Sequence, residues 1–334
     1  MHCFLHIGVE KTGTTSIQKF LYLNRALLNQ NGYQLTDSLS KPNNTGITVL
    51  SLSSLKNEEI KYFSVVSSEQ KFNKKKQFLK RSINEEVKKA KQGSKFIFSN
   101  EHMHSLLSSR EEIDFLKRFL ESIGFTDFTV LVFVRPIIEM VRSRRSTAFK
   151  NANINIHPRL QDASKENFPY LFNLKESFNK WISVFGKKNI KVMRFDSRDK
   201  DLLYKKFLDG IDFDFKDINF AIPEISNKSM SYEAMLSLYS NKSEILKRYK
   251  KRKHLMNFIQ ELKNEFMHQN GNKISIFEDI LKSFETRFKE DNLFILKEFN
   301  IDLKTNYEIQ SEQTINYNLL KDLDKYIISR LGNN

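Results

Sequence analysis

Residues 6–18 read His-Ile-Gly-Val-Glu-Lys-Thr-Gly-Thr-Thr-Ser-Ile-Gln. Gly8 and Gly13 permit a tight turn, and Thr14, Thr15 and Ser16 open a helical pattern directly after it. A strand that turns through glycines into a helix aims backbone N–H groups and the positive end of the helix dipole at one point. That is a cradle for a phosphate or sulfate, and three hydroxyls add donors to it. Lys11, in the turn itself, places one cation beside that point. Taken alone, a Gly-Thr-Thr turn is also a well-capped helix start with no ligand.

The lysine decides which anion chemistry the loop resembles least. Nucleoside-triphosphate loops follow G-x-x-x-x-G-K-[ST], where lysine opens the helix and reaches the terminal phosphates. Gly8 and Gly13 keep that spacing, but Thr14 stands in the lysine position and the charge has moved three residues earlier. No acidic strand end offers a second magnesium-binding motif, which weighs against a kinase. No His, Cys or Asp set has metal-ligand spacing either, and His102 and His104 lack the H-E-x-x-H arrangement, so no metal is expected.

Elements must position these groups, and the sequence places them. Four short apolar runs, 3–8, 95–99, 128–134 and 190–195, read as strands buried on both faces, because their apolarity is continuous. Helical patterns cover 14–31, 70–92, 110–123 and 173–185, each followed by a glycine: Gly32, Gly93, Gly124 and Gly186. In the last, Leu174, Phe178, Trp181, Ile182 and Phe185 form one apolar stripe. The alternation predicts an α/β fold with a mostly parallel sheet and helices on both faces, and ligands bound beyond the carboxyl ends of the strands. From about Tyr232 the chain reads as lysine-rich helix without a linker before it, so 1–334 is expected to be one domain with 232–334 as its helical elaboration.

The 334 residues carry a formal net charge of +15 and one cysteine, Cys3. A single cysteine excludes an internal disulfide and a thiolate metal cluster. No apolar run approaches the roughly 20 residues that span a bilayer, and no leader pattern precedes the first motif, so a cytoplasmic protein is expected. The positive charge points to anionic partners without choosing among them. Much of it lies on solvated helix faces such as 74–91; the densest cluster is Lys-Arg-Tyr-Lys-Lys-Arg-Lys at 247–253, which fits a solvated face, an acidic acceptor or peripheral membrane contact.

Lys-Thr-Gly-Thr-Thr-Ser-Ile-Gln at 11–18 resembles the 5′-phosphosulfate loop of sulfotransferases that use 3′-phosphoadenosine 5′-phosphosulfate (PAPS), a P-loop-like fold. VLVFVRPIIEMVRSRRSTA at 130–148 resembles that family's 3′-phosphate motif, an arginine at a strand end followed eight residues later by a helical serine: Arg135 and Ser143. FIFSNEHM at 96–103 is similar to the glutamate-bearing strand end of carbohydrate and bacterial members, with Asn100 where the family often has serine. The Asn227 segment, NKSMSYEAM, is similar to the N-x-S stretch that follows the last core strand in bacterial relatives.

The resemblance implies a donor, PAPS, and an acceptor hydroxyl, carbohydrate or glycoconjugate. It implies that Lys11, Thr12, Gly13, Thr14, Thr15 and Ser16 hold the 5′-phosphosulfate, with Lys11 beside the bridging oxygen. Arg135 and Ser143 would hold the 3′-phosphate, for which arginine's planar fork is suited. Glu101 would take the acceptor's proton, with His102 and His104 as neighbouring candidates. Two alternatives stand beside this: a P-loop kinase-like phosphotransferase, and a non-enzymatic binder of nucleic acid or acidic surfaces. The latter lacks base-stacking or helix-turn-helix signals.

Overall fold

The computed structural model describes residues 1–55, 66–196, 199–216, 218–224, 229–266, 269, 271–304 and 310–332. Two compact units make up the chain: Met1–Arg135 with Phe168–Ile225 and Glu290–Leu303, and Pro136–Asn167 with Ser226–Lys289 and Lys304–Asn334.

The first unit is built on five parallel strands, β1 His2–His6, β2 Tyr33–Leu35, β3 Lys95–Ser99, β4 Asp127–Val134 and β5 Ile190–Arg194, in the order β2-β3-β1-β4-β5. The sheet is sandwiched, as continuous apolar strands require. On one face, Phe4, Ile97, Leu131 and Phe133 pack against α1 (Thr14–Leu23) and, from the helix Lys200–Gly210, Leu203, Tyr204 and Phe207. On the other, Phe96 and Phe98 meet Phe125, while Phe128 meets Phe185 of the helix Leu174–Phe185. Leu174, Phe178, Trp181 and Phe185 of that helix are buried, as its apolar stripe requires.

The helical pattern at 14–31 is two helices, α1 and α2 (Arg25–Gln30), because Asn24 diverts the chain. Its side chain donates to Phe20 O and Ala221 O and accepts from Ala221 N, each at 2.8 Å. Such side-chain bonds to backbone compete with helix continuation. Next come α3 (Thr45–Ser51), α4 (Glu69–Lys88), α5 (His102–Leu106) and α6 (Arg110–Ser122), the last closed by a capping box of Ser109 and Glu112.

The second unit is helical in its described residues. It holds α7 (Ile137–Lys150), and, after α8 (Leu174–Phe185) and α9 (Lys200–Gly210) of the first unit, α10 (Tyr232–Ser240), α11 (Lys242–Arg248), α12 (Arg252–Glu265) and α13 (Glu278–Arg287). Past α14 (Lys289–Phe299) it ends in α15 (Tyr317–Gly332), against which α10 packs. A buried carboxylate organises it. Glu233 accepts from the backbone N–H groups of Asn272 and Asn316, both at 2.9 Å, and from the Asn272 amide at 2.7 Å. No helix among the described residues is long and apolar enough to cross a membrane.

Candidate anion-binding site

Strand order brings four chain ends side by side. Along β3-β1-β4-β5, the residues just past the carboxyl ends are Asn100 and Glu101, the turn Ile7–Gly13, Arg135, and Phe195. The ladder continues into them: Asn100 N donates to His6 O at 3.0 Å, Ile7 N to Leu131 O at 3.1 Å, and Phe195 N to Val134 O at 2.8 Å.

The turn is held in a shape that side chains ordinarily avoid. Gly8 has φ 40°, and a Cβ there would stand 2.7 Å from Thr14 Oγ1. Gly13, the N-cap of α1, has φ 83° and ψ 12°, and its Cβ would meet Leu203 and Phe195 at 2.8 Å. Glycine at both positions lets the turn close over the helix start. Lys11 has no such licence, yet its φ is 67°. A left-handed non-glycine residue costs on the order of 1 kcal/mol and persists only where its surroundings impose it. Here Arg135 imposes it, donating from Nη1 to Lys11 O at 2.9 Å with its guanidinium 5.2 Å from the Phe195 ring centroid. The Thr12 hydroxyl braces the same turn by donating to Val9 O.

Inside the turn, Thr14 is 4% exposed, and its hydroxyl has no hydrogen-bond partner among the described residues. A buried hydroxyl calls for a partner, and an anion's oxygen in the turn would supply one. The first turn of α1 carries no acidic residue. Thr15 is exposed, and Ser16 is hydrogen-bonded to Tyr204. Glycines that approach closely, an uncapped helix start, an unspent hydroxyl and one lysine together fit a phosphate or sulfate.

Glu101 stands on the β3 side of the turn, its Cα 3.6 Å from where a Gly8 Cβ would lie. Gln18 of α1, 4% exposed, donates from Nε2 to Glu101 Oε2 at 3.1 Å and to Ser99 O at 3.2 Å, fixing one carboxylate oxygen. His102 Nδ1 is 3.3 Å from Ser105 Oγ. Asn100 is fully buried; its side chain accepts from Thr48 Oγ1 at 2.8 Å and His102 N at 3.1 Å, and donates to Asn43 O at 2.7 Å. Asparagine there therefore ties residues 43–48 to the sheet.

Two further imidazoles lie in the core. His104 is fully buried against Phe178, neither ring nitrogen has a partner among the described residues, and burial pushes its pKa down to about 4. Burial likewise takes His6 down to about 3, with Nδ1 2.8 Å from Ser99 Oγ. A core imidazole held neutral without access to solvent is packing, so His104 sits apart from proton exchange with an acceptor.

Lys11, Thr12, Gly13, Thr14, Thr15, Ser16, Glu101 and Arg135 thus gather at the strand ends of the first unit. Ser143 belongs to the second unit, half-buried on α7, where its carbonyl accepts from Thr147 Oγ1 at 3.1 Å. Its helix neighbours are committed locally: Arg145 to Glu166 at 2.8 Å and to His157 O, and Ser146 to Met230 N at 2.7 Å. Asn227 and Lys228 lie outside the described residues. Gln18 and Phe195 were not singled out by the sequence. Gln18 ends the quoted motif, and only its approach to Glu101 gives it a role; Phe195 is one more aromatic at a strand end.

The chain is similar to the crystal structure of a sulfotransferase from Alicyclobacillus acidocaldarius, with 12% identity, a TM-score of 0.41, and 71% of this chain and 90% of that one covered. No protein-family model and no curated protein matches it.

Proposed function

We propose that this protein is a cytosolic sulfotransferase that moves a sulfuryl group from PAPS to an acceptor hydroxyl on a carbohydrate or glycoconjugate, its two units acting as one domain. The observation that carries the reading is the β1–α1 turn, where Lys11 is held left-handed by Arg135 beside a buried Thr14 hydroxyl that has no partner among the described residues.

When bound, PAPS supplies an activated sulfuryl group attached to a phosphate leaving group. The chain's part is positioning and charge. The α1 N-terminus with Gly13, Thr14, Thr15 and Ser16 holds the 5′-phosphate. Lys11 balances the negative charge that grows on the leaving oxygen, so no metal is required. Arg135, and Ser143 from α7, take the 3′-phosphate. Glu101, with Gln18 fixing one oxygen, accepts the proton of the acceptor hydroxyl as the new S–O bond forms; His102 is the neighbouring alternative.

Nucleotide-induced thermal shifts test the donor. 3′-Phosphoadenosine 5′-phosphate is expected to raise the melting temperature and AMP to do so much less, since a lost charge-assisted contact costs about 1.5–3 kcal/mol. Equal shifts from both nucleotides, or transfer that requires magnesium in place of proceeding in excess chelator, would overturn the reading.

A further inference from the structure

The second unit gathers its positive charge at one elbow. Between α11 and α12, residues 247–254 read Lys-Arg-Tyr-Lys-Lys-Arg-Lys-His, and every residue of the eight except Tyr249 is basic and exposed. Lys247, Arg248, Tyr249 and His254, with Glu244 and Leu331, line an open, shallow cleft of about 740 Å³ at the elbow.

Three features say what kind of polyanion this cleft takes. Its wall is fixed, because Arg248 donates to Leu331 O at 3.2 Å. α12 begins in it with no acidic residue in its first turn and no side-chain cap on its first N–H groups, so the helix dipole adds to the lysines. Its rim also carries a carboxylate, Glu244, 2.8 Å from Lys247. A sugar chain brings hydroxyls that can donate to Glu244 alongside acidic groups that meet the cations, so it answers both signs of charge in the cleft.

The remaining side chains agree. Tyr249, the elbow's one aromatic residue, is half-buried with one face of its ring stacked on Phe258, centroids 4.7 Å apart, so the elbow has no row of open aromatic faces for successive nucleobases. None of residues 247–254 is an exposed apolar side chain that would enter a bilayer. We propose that this cleft docks an anionic polysaccharide, a chain bearing carboxylates or sulfates. The proposal goes beyond sulfuryl transfer and stands without it.

The experiment compares two variants of equal charge loss: Lys247→Ala/Lys250→Ala/Lys251→Ala, which takes the lysine that lines the cleft and two beside it, and Lys74→Ala/Lys88→Ala/Lys89→Ala, exposed on α4 and at its C-terminal end. Affinity for a heparin octasaccharide is measured by calorimetry near physiological salt, with a single-stranded 20-nucleotide DNA and phosphatidylserine vesicles as competing probes. Removing three lysines from the elbow is expected to weaken octasaccharide binding roughly tenfold, as the sum of three exposed ion pairs. The α4 variant should bind as the unaltered protein does, and all should melt alike. Equal weakening in both variants would assign the binding to net charge and overturn the proposal. So would tighter binding of the DNA or of the vesicles than of the octasaccharide.

Discussion

The β1–α1 turn and the α11–α12 elbow are both places for an anion, and they are made in opposite ways. The elbow stacks seven exposed basic side chains in eight positions. The turn uses one lysine, a helix start and a buried hydroxyl, in a backbone that two glycines and Arg135 hold in shape. Charge in the elbow is plentiful, solvated and interchangeable, so no single side chain decides its binding. In the turn each group has a fixed place and each is hard to replace. The formal +15 therefore reflects solvated charge of the elbow's kind, spread over the surface, and says almost nothing about the turn.

If that contrast holds, single substitutions at the strand ends should act far more strongly than any at the elbow. Glu101→Gln is the sharpest case. The amide keeps the shape and can still accept from Gln18 Nε2, so nucleotide affinity should stay while single-turnover sulfuryl transfer falls by about 10²- to 10⁴-fold, the usual scale of general-base catalysis. A mild Glu101→Gln with a severe His102→Ala would move the base to His102. Near-normal transfer in both variants would leave the site without a general base and place the turn closer to a binding loop.

Lys11→Gly separates charge from backbone within the turn. Glycine accepts φ 67° without steric cost but adds freedom to the unfolded chain. The two effects are each about 1 kcal/mol and opposed, so stability should change little. Loss of the cation should lower kcat by about 10²- to 10³-fold, the cost of removing one group that stabilises developing charge. A variant that keeps its turnover would show that backbone and hydroxyls carry the leaving group unaided.

Different amounts of these two regions could be read in advance. Strands 3–8, 95–99, 128–134 and 190–195 are legible because a strand buried on both faces is apolar at every position, and β1, β3, β4 and β5 stand there. The three residues of β2, Tyr33–Leu35, are too few for any periodicity. The turn is legible because glycine spacing and the following hydroxyls are local in sequence. Gln18 reaching Glu101, and Phe195 backing Arg135, arise only when strands distant in the chain become neighbours. Asn24 breaks a helix without glycine or proline because its partner, Ala221, is also remote.

The smallest expected effect concerns two imidazoles of the core. His6 and His104 are neutral in the folded core, with pKa values of about 3 and about 4, against 6.5 for a free imidazole. Between about pH 4 and 6.5 the unfolded chain therefore binds protons that the folded chain does not, so stability rises with pH across that window. It is fully present above pH 6.5 and is lost as acidity approaches the folded values. Near pH 5 the two groups together should give a slope close to two protons, measurable from denaturant unfolding at several pH values. His104→Leu tests the assignment directly. It removes one titrating group and two buried nitrogens that lack partners among the described residues, so the slope should fall by about one proton while stability at pH 7 holds or improves. An unchanged slope would mean that His104 titrates in the folded protein, and that its surroundings are wetter than its packing against Phe178 requires.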